Sequence, residues 1–312
     1  MAKVIALANI PFAIVCSPFC ICTIVLNVFY IFCIWKPTVG VNLRQPLYFL
    51  LAAVLGNSTV QQLLTMISIV LCFSKPPEWV LIVNIAIILQ AFGSSFSINA
   101  WISIFYYMKI VPHHNKPFIW VKNNIKGIIF AGFVFDQTLL MSALAIGAAA
   151  YLTPLAANDL NRTKLIGIPI VNGGLYKVCS GMILAYLICP LFTLLLSWGR
   201  TFFYLRRHIR RMNQTTSFSS PPQQRNHVRV TITGIVQTAL FLPSSLYALI
   251  MTLLFTTLYD TLDSDKHITI TITSMSNMAN IVCLGFSQSV FRLRVIALLK
   301  KLKNALCSGD QK

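Results

Sequence analysis

The sequence predicts an all-α membrane protein, a bundle of seven transmembrane helices followed by a short amphipathic C-terminal helix. Three observations carry that prediction. Only 10% of the residues are charged and 56% are hydrophobic, with a mean hydropathy of +0.74. A soluble domain carries about 25% charged residues, so this chain has too few to cover a water-facing surface. Second, runs long enough for a membrane helix, about 20 mostly apolar residues, recur seven times. Third, Lys and Arg crowd into alternate connections between those runs, the asymmetry that orients membrane proteins.

The first span is Ile10–Trp35. Lys3 and the apolar residues after it mimic a signal peptide, but the run from Val4 to Trp35 far exceeds a signal core of about 7–15 residues. The second span is Leu47–Phe73. The third, Val80–Ile110, ends on the basic aromatic cluster Phe105-Tyr106-Tyr107-Met108-Lys109-Ile110. The fourth, Ile125–Leu152, holds Asp136, the only acidic residue inside a predicted span. A mid-membrane carboxylate costs roughly 3 kcal/mol on insertion scales. Asp136 must therefore be protonated, paired or facing water, and the sequence leaves three roles open: a structural partner, a conformational switch or a ligand contact.

The fifth span, Gly174–Leu205, ends on Leu205-Arg206-Arg207-His208. A Ser, Thr, Gln and Pro-rich stretch, Asn213–Asn226, reads as a flexible linker. The sixth span, Val228–Thr256, contains Pro243, which frees a backbone carbonyl and can kink a helix. The seventh, Ile268–Phe291, is unusually polar, with Thr269, Thr271, Thr273, Ser274, Ser276, Asn277 and Asn280. In lipid such residues must face other helices or a water-filled cavity. Over 292–306 Val295, Leu298, Leu299 and Leu302 recur at helical spacing among Arg292, Arg294, Lys300, Lys301 and Lys303, which predicts a basic amphipathic helix on an anionic leaflet. The chain, 1–312, reads as one seven-helix domain.

Nineteen of the 25 Lys and Arg fall in one set of connections and six in the other. The rule that basic loops stay inside predicts an extracellular N-terminus and a cytoplasmic C-terminus, in a multi-pass protein of the plasma membrane. Glu78, Asp159, Asp260, Asp263 and Asp265 then lie outside. The sequon Asn161-Arg162-Thr163 falls in the second outer loop, where glycosylation at Asn161 is expected. The sequons at Asn57 and Asn213 fall in a helix and inside the cell, and should stay unused.

Charge in short loops argues against nucleic acid as a partner, despite a formal net charge of +18. No nucleophile–base signature, phosphate-binding glycine loop or metal spacing is present; His113-His114 are adjacent in a loop. The sequence predicts neither an enzyme nor a cofactor. Six of the nine cysteines (Cys16, Cys20, Cys22, Cys33, Cys189 and Cys283) lie in apolar runs, where a thiol acts as a small hydrophobe. Cys72 and Cys179 fall near predicted outer helix ends, close enough in topology to allow a disulfide that no sequence feature supports. Cys307 follows a basic tail, where palmitoylation and an unmodified thiol fit equally.

Finer residues carry a resemblance. Phe105-Tyr106, Lys109-Ile110, the Trp120-Val121-Lys122 stretch before Ile125, Pro190 with Leu205, Arg207-His208 and Met212, His227-Val228, Asn27 and Trp35-Lys36 together resemble landmarks of the bitter taste receptor (type 2) family of G-protein-coupled receptors. The likeness spans most of the chain and is strongest in the third and fifth helices. The chain looks like a divergent member: Gly56-Asn57 stand where the family has Ser-Arg, Ser97 stands where it often has a pocket Trp, and Pro243 is not typical. No Cys stands at the outer start of the third helix, so the disulfide common to rhodopsin-like receptors cannot form, in keeping with this family.

The resemblance implies a receptor for small, mostly apolar bitter agonists that activates a gustducin-like heterotrimeric G protein in a lipid membrane. Expected ligand-binding residues are Ser94, Ser97, Trp101, Met182, Tyr186, Ser244 and Tyr247. Expected G-protein contacts are Tyr106, Lys109, Arg206, Arg207, His208, His227 and Arg229. Plain anchoring of basic residues at the membrane surface is the competing explanation for the second group. Pro46-Leu47-Tyr48-Phe49 resembles the odorant-receptor approach to helix two, which keeps an odorant- or pheromone-type receptor as an alternative, although that family's helix-three Asp-Arg-Tyr is missing. A small transporter is more remote, since no inverted repeat or broken helix pair is visible.

Overall fold

A computed structural model describes residues 8–36, 46–74, 76–112, 115–159, 171–215, 222–257, 266–288, 290–297 and 299–300. Eight helices follow in order: α1 (Asn9–Trp35), α2 (Leu47–Ser74), α3 (Glu78–Ile110), α4 (Lys116–Asn123), α5 (Ile125–Asp159), α6 (Val171–Thr215), α7 (Pro222–Thr257) and α8 (His267–Ser287). All but the short α4 are long and apolar enough to cross a membrane. Residues 290–297 and 299–300 are helical again, and no strand occurs among the described residues.

The seven long helices close a ring. α1 packs on α2 and α8, α2 on α3, α3 on α5 and α6, α5 on α6, α6 on α7, and α7 on α8. α3 also touches α8 across the ring, which makes it the central helix. The solvation pattern is inverted relative to a water-soluble protein. Large apolar side chains face outward, as at Val25, Val70, Phe192 and Phe203, while Gln61, Gln62, Thr65, Asn99, Ser274 and Asn277 are buried. Lipid explains both halves of that pattern. Apolar surface costs nothing against acyl chains, and polar groups must find partners inside the bundle.

Glycines let α5, α7 and α8 approach their neighbours. A methyl group added at Gly132 would overlap the Trp101 ring, one at Gly234 the Trp198 ring and one at Gly285 the Tyr30 hydroxyl. At the end of the bundle that carries Lys109, here called the basic end, Tyr30, Leu50, Leu51, Phe105 and Phe291 form the largest apolar cluster. Tyr30 stacks on Phe291 at 4.3 Å. At the opposite end Phe12, Cys16, Ile88 and Ile270 form a smaller one.

Several boundaries differ from the sequence reading. α3 starts at Glu78 rather than Val80, because Pro76-Pro77 end the connection and Pro77 serves as its extended N-cap residue. α8 stops at Ser287 rather than Phe291, and Gln288 takes an extended conformation (φ −87°, ψ 125°). The helix expected from 292 starts at 290 instead, with Val290 and Phe291 buried as its anchor. α6 runs on to Thr215 and α7 begins at Pro222, so the linker expected at Asn213–Asn226 is helical at both ends. Pro222 suits a first helical turn, where its missing N–H has no intrahelical acceptor to lose.

Candidate functional site

Asp136 joins α5 to α3. Ser97 and Trp101 sit one turn apart on α3, and the face they share is turned toward α5. Ser97 Oγ donates to Asp136 Oδ2 at 2.5 Å, and Trp101 Nε1–H donates to the same oxygen at 2.7 Å. One turn earlier, Ser94 Oγ donates to Gln137 Oε1 at 2.7 Å. Two donors on one carboxyl oxygen satisfy it inside the bundle, as a polar group within lipid requires. A structural partner is thus present, one of the three roles that the sequence left open for Asp136.

Tyr186 closes this group from α6. It is buried, with its ring beside Gly93, and its hydroxyl lies near Ser97 and Asp136 without a completed hydrogen bond. Gln137 Nε2 is buried without a partner as well. Buried polar atoms are nearly always satisfied, so these two leave hydrogen-bonding capacity for another polar group. Met182 is half-buried one turn from Tyr186.

The remaining expected pocket residues lie between α7 and α8. The Ser244 and Ser276 hydroxyls hydrogen-bond to each other, and the Tyr247 hydroxyl is 3.1 Å from Thr269 Oγ1. Phe92, Phe96, Leu187 and Phe241 fill the α3–α6–α7 interface, with Phe96 edge-on to Phe92 at 4.9 Å. The seven expected residues thus form two groups, with no hydrogen bond joining them among those described.

A polar core that the sequence reading only half anticipated runs down the middle. Gln237 of α7 donates to Asn99 Oδ1 of α3 at 2.8 Å and also to Asn280 Oδ1 of α8. Asn27 of α1 donates to Ser58 Oγ at 2.9 Å, while Asn277 Nδ2 reaches the Ser58 carbonyl at 3.3 Å. Ser274 donates to Gln62 Oε1 at 2.8 Å. Nearer the basic end, Gln288 Nε2 donates to the Tyr106 oxygen at 3.0 Å. The polar run of α8 was visible in the sequence; Asn27, Gln61, Gln62, Asn99 and Gln237, polar residues within predicted spans, carried the same signal.

The basic end collects most of the expected coupling residues. Tyr106 points inward to Gln288, whereas Lys109 is exposed with its ammonium 4.5 Å over the Phe105 ring. Arg206, Arg207 and Arg229 are exposed. The side chains of His208 and His227 lie outside those described. Partial burial, and then the nearby Arg229 guanidinium, push the Arg292 pKa below its ordinary value. Arg294 Nη1 donates to the Phe32 carbonyl at 3.2 Å and covers the Phe32 ring at 4.9 Å, which ties the 290–297 segment to α1. A cleft of about 540 Å³ opens beside Lys109, lined by Pro46, Phe105, Trp120, Asn124, Lys126 and Ile128 among others.

Cys72 Sγ lies 3.2 Å from His267 Nε2, which links α2 to α8, and Phe12 stacks on that imidazole at 4.4 Å. The Cys179 side chain, Asn161 and Cys307 lie outside what is described. Among the described residues no group of His, Cys, Asp and Glu is placed to hold a metal ion. No protein-family model matches the chain, and no curated protein matches it either.

Proposed function

We propose that the protein is a chemosensory G-protein-coupled receptor of the bitter taste (type 2) kind. It detects small, mostly apolar bitter compounds and activates a gustducin-like heterotrimeric G protein. The observation that carries the reading is the polar core shared by α3, α7 and α8. Asn99, Gln237 and Asn280 hold three helices together by uncharged hydrogen bonds, and Tyr106–Gln288 repeats the link nearer the basic end. In bilayers such bonds average only about 0.6 kcal/mol. A ligand that favours a second helix arrangement by a few kcal/mol can therefore exchange them, and only such differential binding shifts a population.

In this reading the agonist reaches the Ser94, Ser97, Trp101, Met182 and Tyr186 group, the Ser244 and Tyr247 group, or both. The unpartnered Tyr186 hydroxyl and Gln137 amide supply its polar contacts, and the Phe92–Phe96–Phe241 cluster its apolar surface. The basic end is cytoplasmic, and Lys109, Arg206, Arg207, His208, His227 and Arg229 face the G protein around Tyr106. Glycosylation at Asn161 marks the opposite side, and the site of action is the plasma membrane. The test is expression with a promiscuous G-protein chimera and calcium imaging over a broad panel of bitter compounds. A saturable response that Tyr186→Phe or Ser97→Ala shifts is expected. Silence across the panel, with the protein shown to be at the cell surface, overturns the proposal.

A further inference from the structure

The cleft beside Lys109 lies where three features meet. Its walls are apolar: Pro46 before α2, Phe105 near the end of α3, Trp120 of α4, and Ile125 and Ile128 of α5. Its charged lining residues are Lys109 and Lys126, and no acidic residue lines it. Its floor is the first turn of α5. There the Ile128 N–H closes on the Asn124 carbonyl, while the N–H groups before it belong to the set that a helix start leaves without intrahelical acceptors. That turn also carries the positive end of the α5 dipole.

α4 fixes the depth of this cleft. Its eight residues, Lys-Pro-Phe-Ile-Trp-Val-Lys-Asn, include no buried side chain. Phe118, Ile119 and Trp120 are exposed, Trp120 by 62%, between Lys116 and Lys122. A short helix with exposed aromatic and aliphatic side chains flanked by lysines sits at the membrane–water boundary, the depth that Trp favours. The cleft therefore opens at headgroup level. Just beyond it, Phe130, Val134 and Phe135 present an apolar strip along the outside of α5.

We infer that this cleft binds the phosphate of an anionic membrane lipid. Lys109, Lys126 and the α5 start receive the headgroup, and an acyl chain lies along Phe130, Val134 and Phe135. Apolar walls capped by two ammonium groups match an anionic amphiphile better than a free anion, which would leave the walls unused. This does not rest on the receptor reading, because it requires only the bundle and its basic end. Each lysine near an anionic surface contributes a factor of about five in affinity.

The test uses the full chain in phosphatidylcholine vesicles carrying brominated phosphatidylserine. Quenching of Trp120 is the signal, isolated by subtracting a Trp120→Phe sample. Quenching stronger than with brominated phosphatidylcholine is expected. Lys126→Gln should weaken that preference about fivefold, and Lys126→Arg should restore it. Lys122→Gln, on α4 but outside the cleft, should weaken it clearly less than Lys126→Gln does. Gly127→Phe keeps every charge but fills the cleft, since a side chain there starts from open space, and should abolish the preference. Should Gly127→Phe fail to fold, Lys126→Gln against Lys122→Gln carries the decision. Equal loss in those two variants, or full displacement by inorganic phosphate, overturns a built lipid site: the first would show diffuse surface charge, the second a free-phosphate site.

Discussion

Replacing Gly132 by Ala adds one methyl group, yet the fold makes it one of the costlier changes available. That methyl overlaps the six-membered edge of the Trp101 indole. The ring cannot step aside freely, because its Nε1–H is committed to Asp136 Oδ2 at 2.7 Å. If the ring stays, overpacking costs about 1–3 kcal/mol. If it turns away, the hydrogen bond to Asp136 is lost, and Asp136 keeps Ser97 alone. Ala favours a helix over Gly by about 1 kcal/mol, which offsets part of either loss. Gly199→Ala is the matched control, since its added methyl meets nothing within 4 Å. Because that helix gain is common to both variants, equilibrium unfolding of the purified protein in mixed micelles should separate them by about 1–3 kcal/mol, with Gly132→Ala the less stable. Adding Trp101→Phe should remove part of the overlap and narrow the gap. Equal stability of Gly132→Ala and Gly199→Ala would refute the α3–α5 packing that places Asp136 in the grip of Trp101.

Gln237→Leu strands both Asn99 Oδ1 and Asn280 Oδ1; at about 0.6 kcal/mol per bilayer hydrogen bond it should cost about 1 kcal/mol, and its effect should be non-additive with Asn280→Leu in a double-mutant cycle. Arg294→Ala removes both the hydrogen bond and the ring contact to Phe32, and should raise amide hydrogen exchange across 290–297 while sparing α1. Lys109→Ala should weaken G-protein coupling with surface expression intact; equal loss of both would mean that Lys109 serves only to hold the end of α3 at the membrane.

The bundle was legible because membrane helices are written in bulk composition, and seven apolar runs gave seven spanning helices in the expected order. Helix ends were less legible. Residues 213–215 and 222–226 are polar and linker-like in composition, yet they continue α6 and α7. α4 escaped notice because its eight residues match no spanning pattern and bury nothing. At the candidate site, the helical spacing of Ser97 and Trp101 placed them on one face, but spacing cannot say which neighbour that face meets. It meets α5, and both side chains turn out to hold Asp136. Polar α8 announced its inward face through seven Thr, Ser and Asn residues. Its partners Gln62 and Gln237 come from distant spans, and no local pattern pairs them. The contact of Cys72 with the His267 imidazole joins residues 195 positions apart, and no local pattern announces it.

Nucleotide exchange on a purified gustducin-type heterotrimer, driven by the purified protein in lipid vesicles, tests the central claim most directly. With an agonist found by the cellular screen, exchange should rise with concentration and saturate, and Lys109→Ala should lower the maximum. Exchange that stays at the receptor-free rate at every agonist concentration, in vesicles shown to hold folded protein with the basic end accessible, would contradict it.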